Sequence, residues 1–156
     1  MIPLEEITIV DYKPEYAPDF KRLNVEWIEK YFTVETHDLV ELENPEAFIL
    51  SKGGYILFAK YQEQAVGACA LIKTAENEYY LAKMGVSPAF QGMQIGKKLG
   101  LAVVERAAEV GAKRIWLESN RSLVAAISLY RRLGFVEIPI DETPYARADI
   151  RMERWL

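Results

Sequence analysis

The sequence predicts a mixed α/β fold, in which helices cover both faces of one mixed sheet. Three observations support this prediction. Three apolar segments follow one another between residues 55 and 86 with only short polar turns between them, which is typical of an antiparallel meander. A glycine-containing turn and a long helical pattern come next. Strand and helix patterns then alternate, and a strand joined to the next by a helix favours parallel neighbours.

The composition narrows the class of protein. A chain of 156 residues predicts a single domain over residues 1–156, long enough to bury a substantial core. The hydrophobic share of 51% and the mean hydropathy of −0.06 are typical of soluble globular proteins. The net charge of −4 argues against binding to nucleic acid, which needs a basic surface. No leader pattern and no apolar run of about 20 residues is found, so we expect a cytoplasmic protein without membrane contact.

Two residue types occur once each. Cys69 excludes an internal disulfide and fits a reducing compartment. It lies in the apolar run 66–72, where it is either a small buried residue or a catalytic thiol. His37 has no suitably spaced partner, so we expect no metal site.

The first 54 residues predict one strand and two main helices. Residues 7–10 form a β-branched run that indicates a short strand. The following helix has apolar residues at helical spacing, which favours a core face, although its terminal aromatic residues could line a substrate cleft; these residues are Phe20, Leu23, Trp27 and Tyr31. A second helix is predicted over 35–43, and its carboxylates form either a solvated face or an acidic rim that receives a cationic amine. Pro45 opens a short helical stretch that ends before Gly53.

The rest of the chain supplies the remaining elements in order. The meander consists of strands over 55–59, 65–73 and 79–86, with turns near residues 63–64 and 76–78. A helix follows over 95–110, then a strand over 114–119, a helix that Ser122 caps and Gly134 ends, and a strand at 135–136. Alternating apolar and charged residues over 146–153 predict a final half-buried strand.

The turn between the meander and the long helix has the layout of an anion site. Helix N-termini offer unpaired N–H groups and the positive end of the helix dipole. We therefore expect this turn to hold the diphosphate of a cofactor. A dinucleotide fingerprint does not match, because Gly92 and Gly96 are separated by three residues. A P-loop does not match either, because Gln91 replaces its first glycine and Lys98 its hydroxyl residue.

A closer match lies over the same residues. The segment resembles motif A of the Gcn5-related N-acetyltransferases, the GNAT superfamily, in Val86-x-Pro88-x-x-Gln91-Gly92-x-x-Ile95-Gly96-x-x-Leu99. A second region resembles the same family, with a strand that ends at Asn120 and a helix that carries A-x-x-L-Y-x-x-x-G-F over 126–135. The resemblance is specific over residues 79–135, and the element order extends it to the whole chain.

This resemblance implies acetyl-CoA as cofactor and N-acetyl transfer as activity. It implies that strand residues pair with the pantetheine arm and that the turn amides cradle the diphosphate. It also implies that Asn120 bonds the arm and that Tyr130 protonates the departing thiolate. The implied strand and turn residues are Met84, Gly85, Val86, Gln91, Gly92, Met93, Gln94, Ile95, Gly96 and Lys97.

Two residues depart from the family pattern. Gln94 stands where the family has a glycine inside the turn, and it would be strained if that position needs a positive φ. Tyr80 stands where many relatives carry a glutamate that serves as a base or as an anchor for water.

Acetyl transfer needs a neutral amine and a protonated leaving sulfur. Deprotonating a lysine-like amine (pKa about 10.4) at pH 7 costs roughly 4–5 kcal/mol, so a base or desolvation must contribute. Glu118 is the first candidate for this base, ahead of Glu78 and Tyr80, although it could equally be a solvated strand residue. Tyr130 is the candidate acid, although it shares a helix face with core residues.

Other groups have supporting roles in this hypothesis. The backbone N–H of Gly85 or Val86 could polarise the thioester carbonyl. Four cations could either steer the phosphates or belong to a solvated surface; these are Lys97, Lys98, Arg131 and Arg132.

The sequence therefore predicts an acetyl-CoA-dependent N-acetyltransferase that acts on a primary amine of a small molecule or peptide by direct attack. A non-catalytic CoA-binding module is the alternative, and a binder of another phosphate ligand is a third hypothesis. We expect the acceptor pocket among Trp27, Tyr31, the segment around His37 and the loop 138–145. The sequence leaves open whether the protein forms a homodimer.

Overall fold

A computed structural model describes residues 2–156, which form one seven-stranded sheet with helices on both faces. The strands are β1 (Ile7–Asp11), β2 (Tyr55–Tyr61), β3 (Gln64–Ala75), β4 (Glu78–Val86), β5 (Arg114–Ser119), β6 (Val136–Ile138) and β7 (Ile150–Trp155). The α-helices are α1 (Ala17–Tyr31), α2 (Thr36–Glu43), α3 (Pro45–Phe48), α4 (Ile95–Glu109) and α5 (Val124–Arg132). This arrangement confirms the predicted mixed fold.

The strands lie in the order β1-β2-β3-β4-β5-β7-β6. Strands β2 to β4 form the predicted antiparallel meander, and β1 extends it as a further antiparallel strand beside β2. The prediction of parallel neighbours is confirmed for β4 and β5, but it is wrong for β5 and β6. Strand β7 lies between those two and is antiparallel to both. It pairs with β5 along the whole length from Arg114 to Ser119, so β6, which is only three residues long, pairs with the far edge of β7 and not with β5.

Each face of the sheet packs against its own helices. On one face, the core contains Phe20 and Leu23 of α1 and Leu42 of α2, packed against Phe58 of β2. On the other face, α4 and α5 cover the sheet. There Cys69 is completely buried, and burial raises the pKa of its thiol. Cys69 is therefore a small core residue and not a catalytic thiolate.

The predicted starts of helix α5 and strand β7 are wrong. Ser122 does not cap α5, whose N-cap is Leu123, because the backbone N–H and the hydroxyl of Ser122 both donate to the Asn120 side chain. Strand β7 begins at Ile150, and residues 146–149 lie in the loop before it. The alternation of apolar and charged residues over 146–149 therefore does not belong to a strand, because Arg147 turns inward to bond Asp38.

Near its end, strand β4 separates from β5 and forms a bulge against β3. Its pairing with β5 stops at Tyr80 and Trp116, after only three residue pairs. Its pairing with β3 contains a bulge, because Ala68 faces Gly85 whereas Ala70 faces Ala82. Lys83 lies inside this bulge with φ of +55°, a conformation that is unfavourable for a residue with a side chain. A wedge-shaped opening results between the end of β4 and the end of β5.

Helix α1 packs very closely on the end of β4, at Gly85. A Cβ atom placed on Gly85 would lie 2.8 Å from the carbonyl oxygen of Leu23 and 2.8 Å from Cδ1 of Trp27. Only glycine allows this approach without a shift of the helix. It places the indole of Trp27 at the edge of the opening.

None of the helices formed by residues 2–156 is both long enough and apolar enough to cross a lipid bilayer.

Candidate active site

A cavity of about 810 Å³ fills the opening between β4 and β5. Its walls are the β4 segment 80–86, the turn and first residues of α4, the end of β5 at 118–120, the inner side of α5, and the end of α1. Tyr130, Glu118 and the predicted cofactor-binding residues all line it except Met93, although the predicted contribution of Met93 is only its backbone N–H. The side chain of Met93 packs against the apolar cluster around Ile95. The roles assigned to these residues stay predictions.

The turn before α4 presents unpaired amides at one end of the cavity. The first hydrogen bond within the helix joins Lys98 N to Gln94 O at 3.1 Å. The N–H groups of residues 95–97 therefore have no partner inside the helix, and the helix dipole adds positive potential there. Gly92 has φ of +81°, and a Cβ at this position would meet no atom within 4 Å. This end of the cavity fits an anion.

Gln94 is the strained residue of this turn. It is the N-cap of α4 with φ of 62° and ψ of 18°, the left-handed conformation that glycine adopts most easily. Its side chain makes no capping hydrogen bond, and the residue lines the cavity. The structure thus shows that the position does need a positive φ.

Of the four candidate cations, two line the cavity and two, Lys98 and Arg131, do not; Arg131 instead lies 4.0 Å from the Glu137 carboxylate. Lys97 and Arg132 line the cavity, so both can contribute positive potential to an anion. The ammonium of Lys98 instead donates to the carbonyl oxygens of Leu4 (3.0 Å) and Ile7. Lys98 therefore ties the N-terminal segment to α4, so its ammonium neither faces the cavity nor belongs to a solvated surface, the two alternatives that the sequence left open.

Tyr130 of α5 lies in the core and at the cavity wall at the same time. Only 8% of the residue is exposed, and its ring packs edge-on against Phe135 with 6.1 Å between centroids. It also lines the cavity. Burial raises the pKa of its hydroxyl well above the ordinary value near 10, so Tyr130 keeps its proton at physiological pH.

The side chain of Asn120 joins two segments at the cavity edge. Its Nδ2 donates to the carbonyl oxygen of Arg147 at 2.7 Å, and its Oδ1 accepts the N–H of Ser122 at 2.9 Å. It thereby fixes the loop before β7 and the start of α5. Its contact with a cofactor arm stays a prediction.

Glu118 lies at the cavity wall but is neither solvated nor free. Its carboxylate accepts hydrogen bonds from Arg151 Nη2 (2.7 Å), Arg151 Nε (3.1 Å) and Thr143 Oγ1 (2.7 Å). Only 3% of its side chain is exposed. Its role as general base stays a prediction, and such a role would require the carboxylate to give up part of this contact.

The two other base candidates are also limited by their surroundings. Burial raises the pKa of Tyr80 far above its ordinary value, and the nearby Glu118 carboxylate raises it further, so the hydroxyl stays protonated. Glu78 lies at the opposite end of β4, where it pairs with Arg114 at 3.3 Å, and it does not line the cavity.

Asp38, the aspartate of the acidic segment of α2, is neither part of a solvated face nor free to receive a cationic amine. Asp38 is completely buried. It accepts two hydrogen bonds from Arg147 (2.7 and 2.8 Å), one from the Lys83 ammonium (2.9 Å) and one from the N–H of Glu35 (2.9 Å). Burial by itself would raise the pKa of Asp38, but hydrogen bonds from Arg147 and the charge of Lys83 outweigh it and hold the pKa well below its ordinary value.

Further contacts extend this group into a network that we call the Asp38 cluster. Its members are Glu35, Asp38, Glu41, Lys83, Tyr145 and Arg147. Tyr145 Oη lies 2.9 Å from Lys83 Nζ and 3.1 Å from Glu41 Oε1, and Arg147 reaches Glu35 at 3.1 Å. The cluster therefore joins α2, the β4 bulge and the loop before β7. Arg147 turns inward to it, which is why residues 146–149 do not extend β7.

One signal in the sequence could have located this cluster. Side chains of β4 alternate in burial, and the buried set is Tyr79, Leu81, Lys83 and Gly85. A lysine at a position where the alternation requires an apolar residue indicates a buried ionic partner. Nothing in the sequence alone identifies that partner as Asp38.

The predicted acceptor region is only partly correct. Trp27, Tyr31 and Tyr145 line the cavity, as does Phe32. His37 does not line it. Its ring packs edge-on against Tyr145 with 5.0 Å between centroids.

The family model for the acetyltransferase (GNAT) family matches residues 17–135. This chain belongs to the GNAT family. It is an N-acetyltransferase, and its cofactor is acetyl-CoA.

Two curated relatives agree with this assignment. The Escherichia coli K12 protein named uncharacterized N-acetyltransferase YjgM is 30% identical over 162 residues, which cover 98% of this chain and 94% of that protein. The ribosomal protein bS18-alanine N-acetyltransferase of Haemophilus ducreyi is 34% identical over 100 residues, which cover 64% of this chain and 69% of that protein.

Solved structures share the fold. A GNAT-family acetyltransferase from Staphylococcus aureus Mu50 superposes with a TM-score of 0.84 at 25% identity, covering 96% of this chain and 98% of that one. The PaiA N-acetyltransferase of Thermoplasma acidophilum, which was solved in complex with coenzyme A, superposes with a TM-score of 0.75 at 19% identity over 96% of this chain and 99% of that one.

The cavity of this GNAT enzyme fits acetyl-CoA by its own chemistry. The unpaired amides at the start of α4 and the nearby Lys97 and Arg132 suit the phosphates. The edge of β4 that has separated from β5 suits an amide-containing arm, because its backbone groups have no strand partner on that side among the described residues.

Replacing Gln94 by glycine tests the strained turn. We expect Gln94→Gly to lower the Kd for CoA several-fold, because it removes a side chain from the cavity and allows the positive φ without strain. Isothermal titration calorimetry with CoA measures this change.

Gln62 provides a matched control, since it is also a glutamine with positive φ (54°) but lies in the turn between β2 and β3, away from the cavity. Gln62→Gly should leave the Kd for CoA unchanged. An unchanged or higher Kd in Gln94→Gly would show that the glutamine does not hinder the cofactor.

Replacing Asp38 by asparagine tests the buried cluster. We expect Asp38→Asn to lower the free energy of unfolding at pH 7 by about 3–5 kcal/mol, because Lys83 and Arg147 lose their shared buried partner. The folded-state pKa of Asp38 is depressed, so its stabilisation is complete above about pH 4 and is lost as the pH falls further. Urea denaturation at several pH values measures both effects.

The difference in the free energy of unfolding between wild type and Asp38→Asn should therefore become smaller at acidic pH. Asp141→Asn is the control, because Asp141 is exposed, and it should change the free energy of unfolding by less than about 0.5 kcal/mol. A small effect of Asp38→Asn at pH 7 would contradict the importance of the cluster.

Proposed function

We propose that this enzyme transfers the acetyl group of acetyl-CoA directly to a primary amine of a small molecule or a peptide, with both substrates bound together. One observation carries the proposal. The wedge between β4 and β5 places the N-terminus of α4, the unpaired edge of β4 and the side chain of Tyr130 along one continuous cavity. That cavity also extends to the aromatic end of α1, which leaves room for a second substrate.

The cofactor binds along this cavity in a fixed direction. Its diphosphate lies at the amides of residues 91–97, with Lys97 and Arg132 nearby. Its arm follows Met84, Gly85 and Val86, and Asn120 contacts the arm from the opposite wall. When bound, acetyl-CoA supplies an activated thioester carbonyl close to the point where β4 and β5 separate.

The reaction forms a C–N bond and breaks the C–S bond. The amine nitrogen loses one proton, and the departing sulfur gains one, so no further reactant is needed. The backbone N–H of Gly85 or Val86 stabilises negative charge on the carbonyl oxygen, because β4 has no pairing with β5 beyond Tyr80 and its edge faces the cavity there.

Tyr130 donates the proton to the sulfur. With ordinary pKa values of about 10 for tyrosine and 8.5 for a thiol, this transfer is uphill by only about 2 kcal/mol. Burial raises the pKa of Tyr130, which ensures that the proton is present. The same surroundings disfavour a thiolate, so the sulfur also becomes a better proton acceptor there.

The relatives support an amine acceptor. The Haemophilus ducreyi relative is named for acetylation of an alanine in ribosomal protein bS18, which places a peptide amine among the acceptors of the family. A peptide amine is therefore one of the two acceptor types that we propose for this chain.

Release of CoA thiol in the presence of amines tests the function. Wild-type enzyme should release thiol only when an amine is present, and Tyr130→Phe should lower kcat about 100-fold or more, because general acid catalysis typically contributes at least that factor. The Kd for CoA should stay nearly unchanged, because the ring that packs on Phe135 is kept.

Tyr79→Phe is the matched control, since Tyr79 is also buried (5% exposed) but does not line the cavity. It should keep wild-type kcat. Equal kcat in Tyr130→Phe would remove Tyr130 from the acid role, and CoA binding without any amine-dependent thiol release would favour a non-catalytic CoA-binding module.

A further inference from the structure

The acceptor end of the cavity is built mainly from aromatic side chains. Trp27, Tyr31 and Phe32 come from the end of α1, Tyr80 comes from β4, and Tyr145 comes from the loop before β7. Tyr31 is 53% exposed and forms the outer edge of this region. Aromatic rings bind flat apolar groups through large contact areas and preferred ring geometries. The walls therefore offer far more apolar surface than charge to a second substrate.

The charged side chains at this end are already paired. Among the described residues that line the cavity, Lys97 and Arg132 belong to the phosphate end, which leaves Lys83, Glu118 and Arg147. Glu118 is held by Arg151 and Thr143. Lys83 and Arg147 are held by Asp38 inside the Asp38 cluster. The one carboxylate that faces the cavity thus has hydrogen bonds on both oxygens.

This charge arrangement disfavours a cationic acceptor. A protonated amine would lose its hydration beside Lys83 and Arg147 without a free carboxylate to compensate. A neutral amine carries no such penalty, and it is also the form that attacks the thioester. An acceptor that is already largely neutral in solution therefore binds best.

We propose that the acceptor is a weakly basic primary amine next to an apolar or aromatic group, such as the N-terminus of a peptide that begins with an apolar residue. The proposal rests on the proposed function and specifies its substrate class. An α-amine with pKa near 8 is about one tenth neutral at pH 7, whereas a lysine-like amine with pKa about 10.4 is neutral in roughly one molecule in 2,500. The enzyme selects the acceptor in its free-base form.

A panel of four acceptors tests the proposal through CoA thiol release. The acceptors are Phe-Gly-Gly amide, Ala-Gly-Gly amide, Nα-acetyl-lysine amide, which offers only an ε-amine, and spermidine. At pH 7 we expect kcat/KM about 200-fold higher for the alanine peptide than for the ε-amine, which is the ratio of their neutral fractions. The phenylalanine peptide should have a KM about tenfold lower than the alanine peptide, and spermidine should be the poorest acceptor.

The pH dependence separates substrate ionisation from ionisation of the enzyme. The rate with the ε-amine should rise about tenfold per pH unit between pH 7 and 9, because the neutral fraction rises by that factor. The rate with the α-amine should level off near pH 8. A rise that levels off at the same pH for both acceptors would indicate a base on the enzyme and would overturn the proposal.

Tyr31→Ser tests the aromatic wall, because Tyr31 lines the cavity and is exposed enough to be replaced without loss of the core. It should reduce the KM advantage of the phenylalanine peptide over the alanine peptide from about tenfold to less than threefold. Leu101→Ser is the matched control, since Leu101 is 51% exposed and does not line the cavity, and it should keep the full advantage.

The outcomes distinguish a wrong acceptor class from a failure of the proposed acetyl transfer itself. Thiol release with spermidine or the ε-amine at rates equal to the alanine peptide would overturn the acceptor class and leave acetyl transfer intact. An unchanged peptide preference in Tyr31→Ser would also overturn it. No thiol release with any of the four amines would overturn both.

Discussion

The buried ion pair between Lys83 and Asp38 stabilises the part of the structure on which the cavity depends. Strand β4 separates from β5 after Tyr80 and forms a bulge against β3, where Lys83 adopts a positive φ that an isolated residue would avoid. Asp38 provides the charge partner, and Tyr145 and Arg147 complete the contacts from the loop before β7. One buried carboxylate thereby connects helix α2, the distorted strand and the loop before β7, and it holds Lys83 and Arg147 in place at the cavity wall.

The cavity divides into two electrostatically different halves. The half near α4 presents unpaired amides and the cations Lys97 and Arg132, which suits the phosphates of acetyl-CoA. In the other half, the charges are neutralised within the protein, and aromatic rings form the walls. In the function that we propose, this division holds the anionic cofactor by charge and the acceptor by contact area. The proposed reaction takes place between the halves, where β4 and β5 separate and Tyr130 lies.

Sequence reasoning predicted most of the fold and the residues that line the α4 half of the cavity, but only part of the other half. Trp27, Tyr31 and Tyr145 line that half as predicted, whereas the Asp38 cluster was not predicted. Alternation and turn residues define the meander, and the turn at residues 91–97 is recognisable because its chemistry is local. The position of β7 between β5 and β6 depends on long-range pairing, which no local pattern contains. The same is true of Asp38 and Lys83, which are 45 residues apart. Glu118 was predicted from its place at a strand end, but its partners Thr143 and Arg151 belong to segments that only the folded chain brings near.

The central claim is that acetyl-CoA lies between the separated ends of β4 and β5 with its diphosphate at the start of α4. An NMR titration of ¹⁵N-labelled protein with CoA tests it most directly, because it reports every backbone amide. The largest shifts should occur at residues 84–86 and 91–97, with smaller ones at Asn120, whereas amides of β1 and β2 should stay unchanged. Saturable shifts that are centred elsewhere on the sheet, or no shifts in the turn before α4, would contradict the claim.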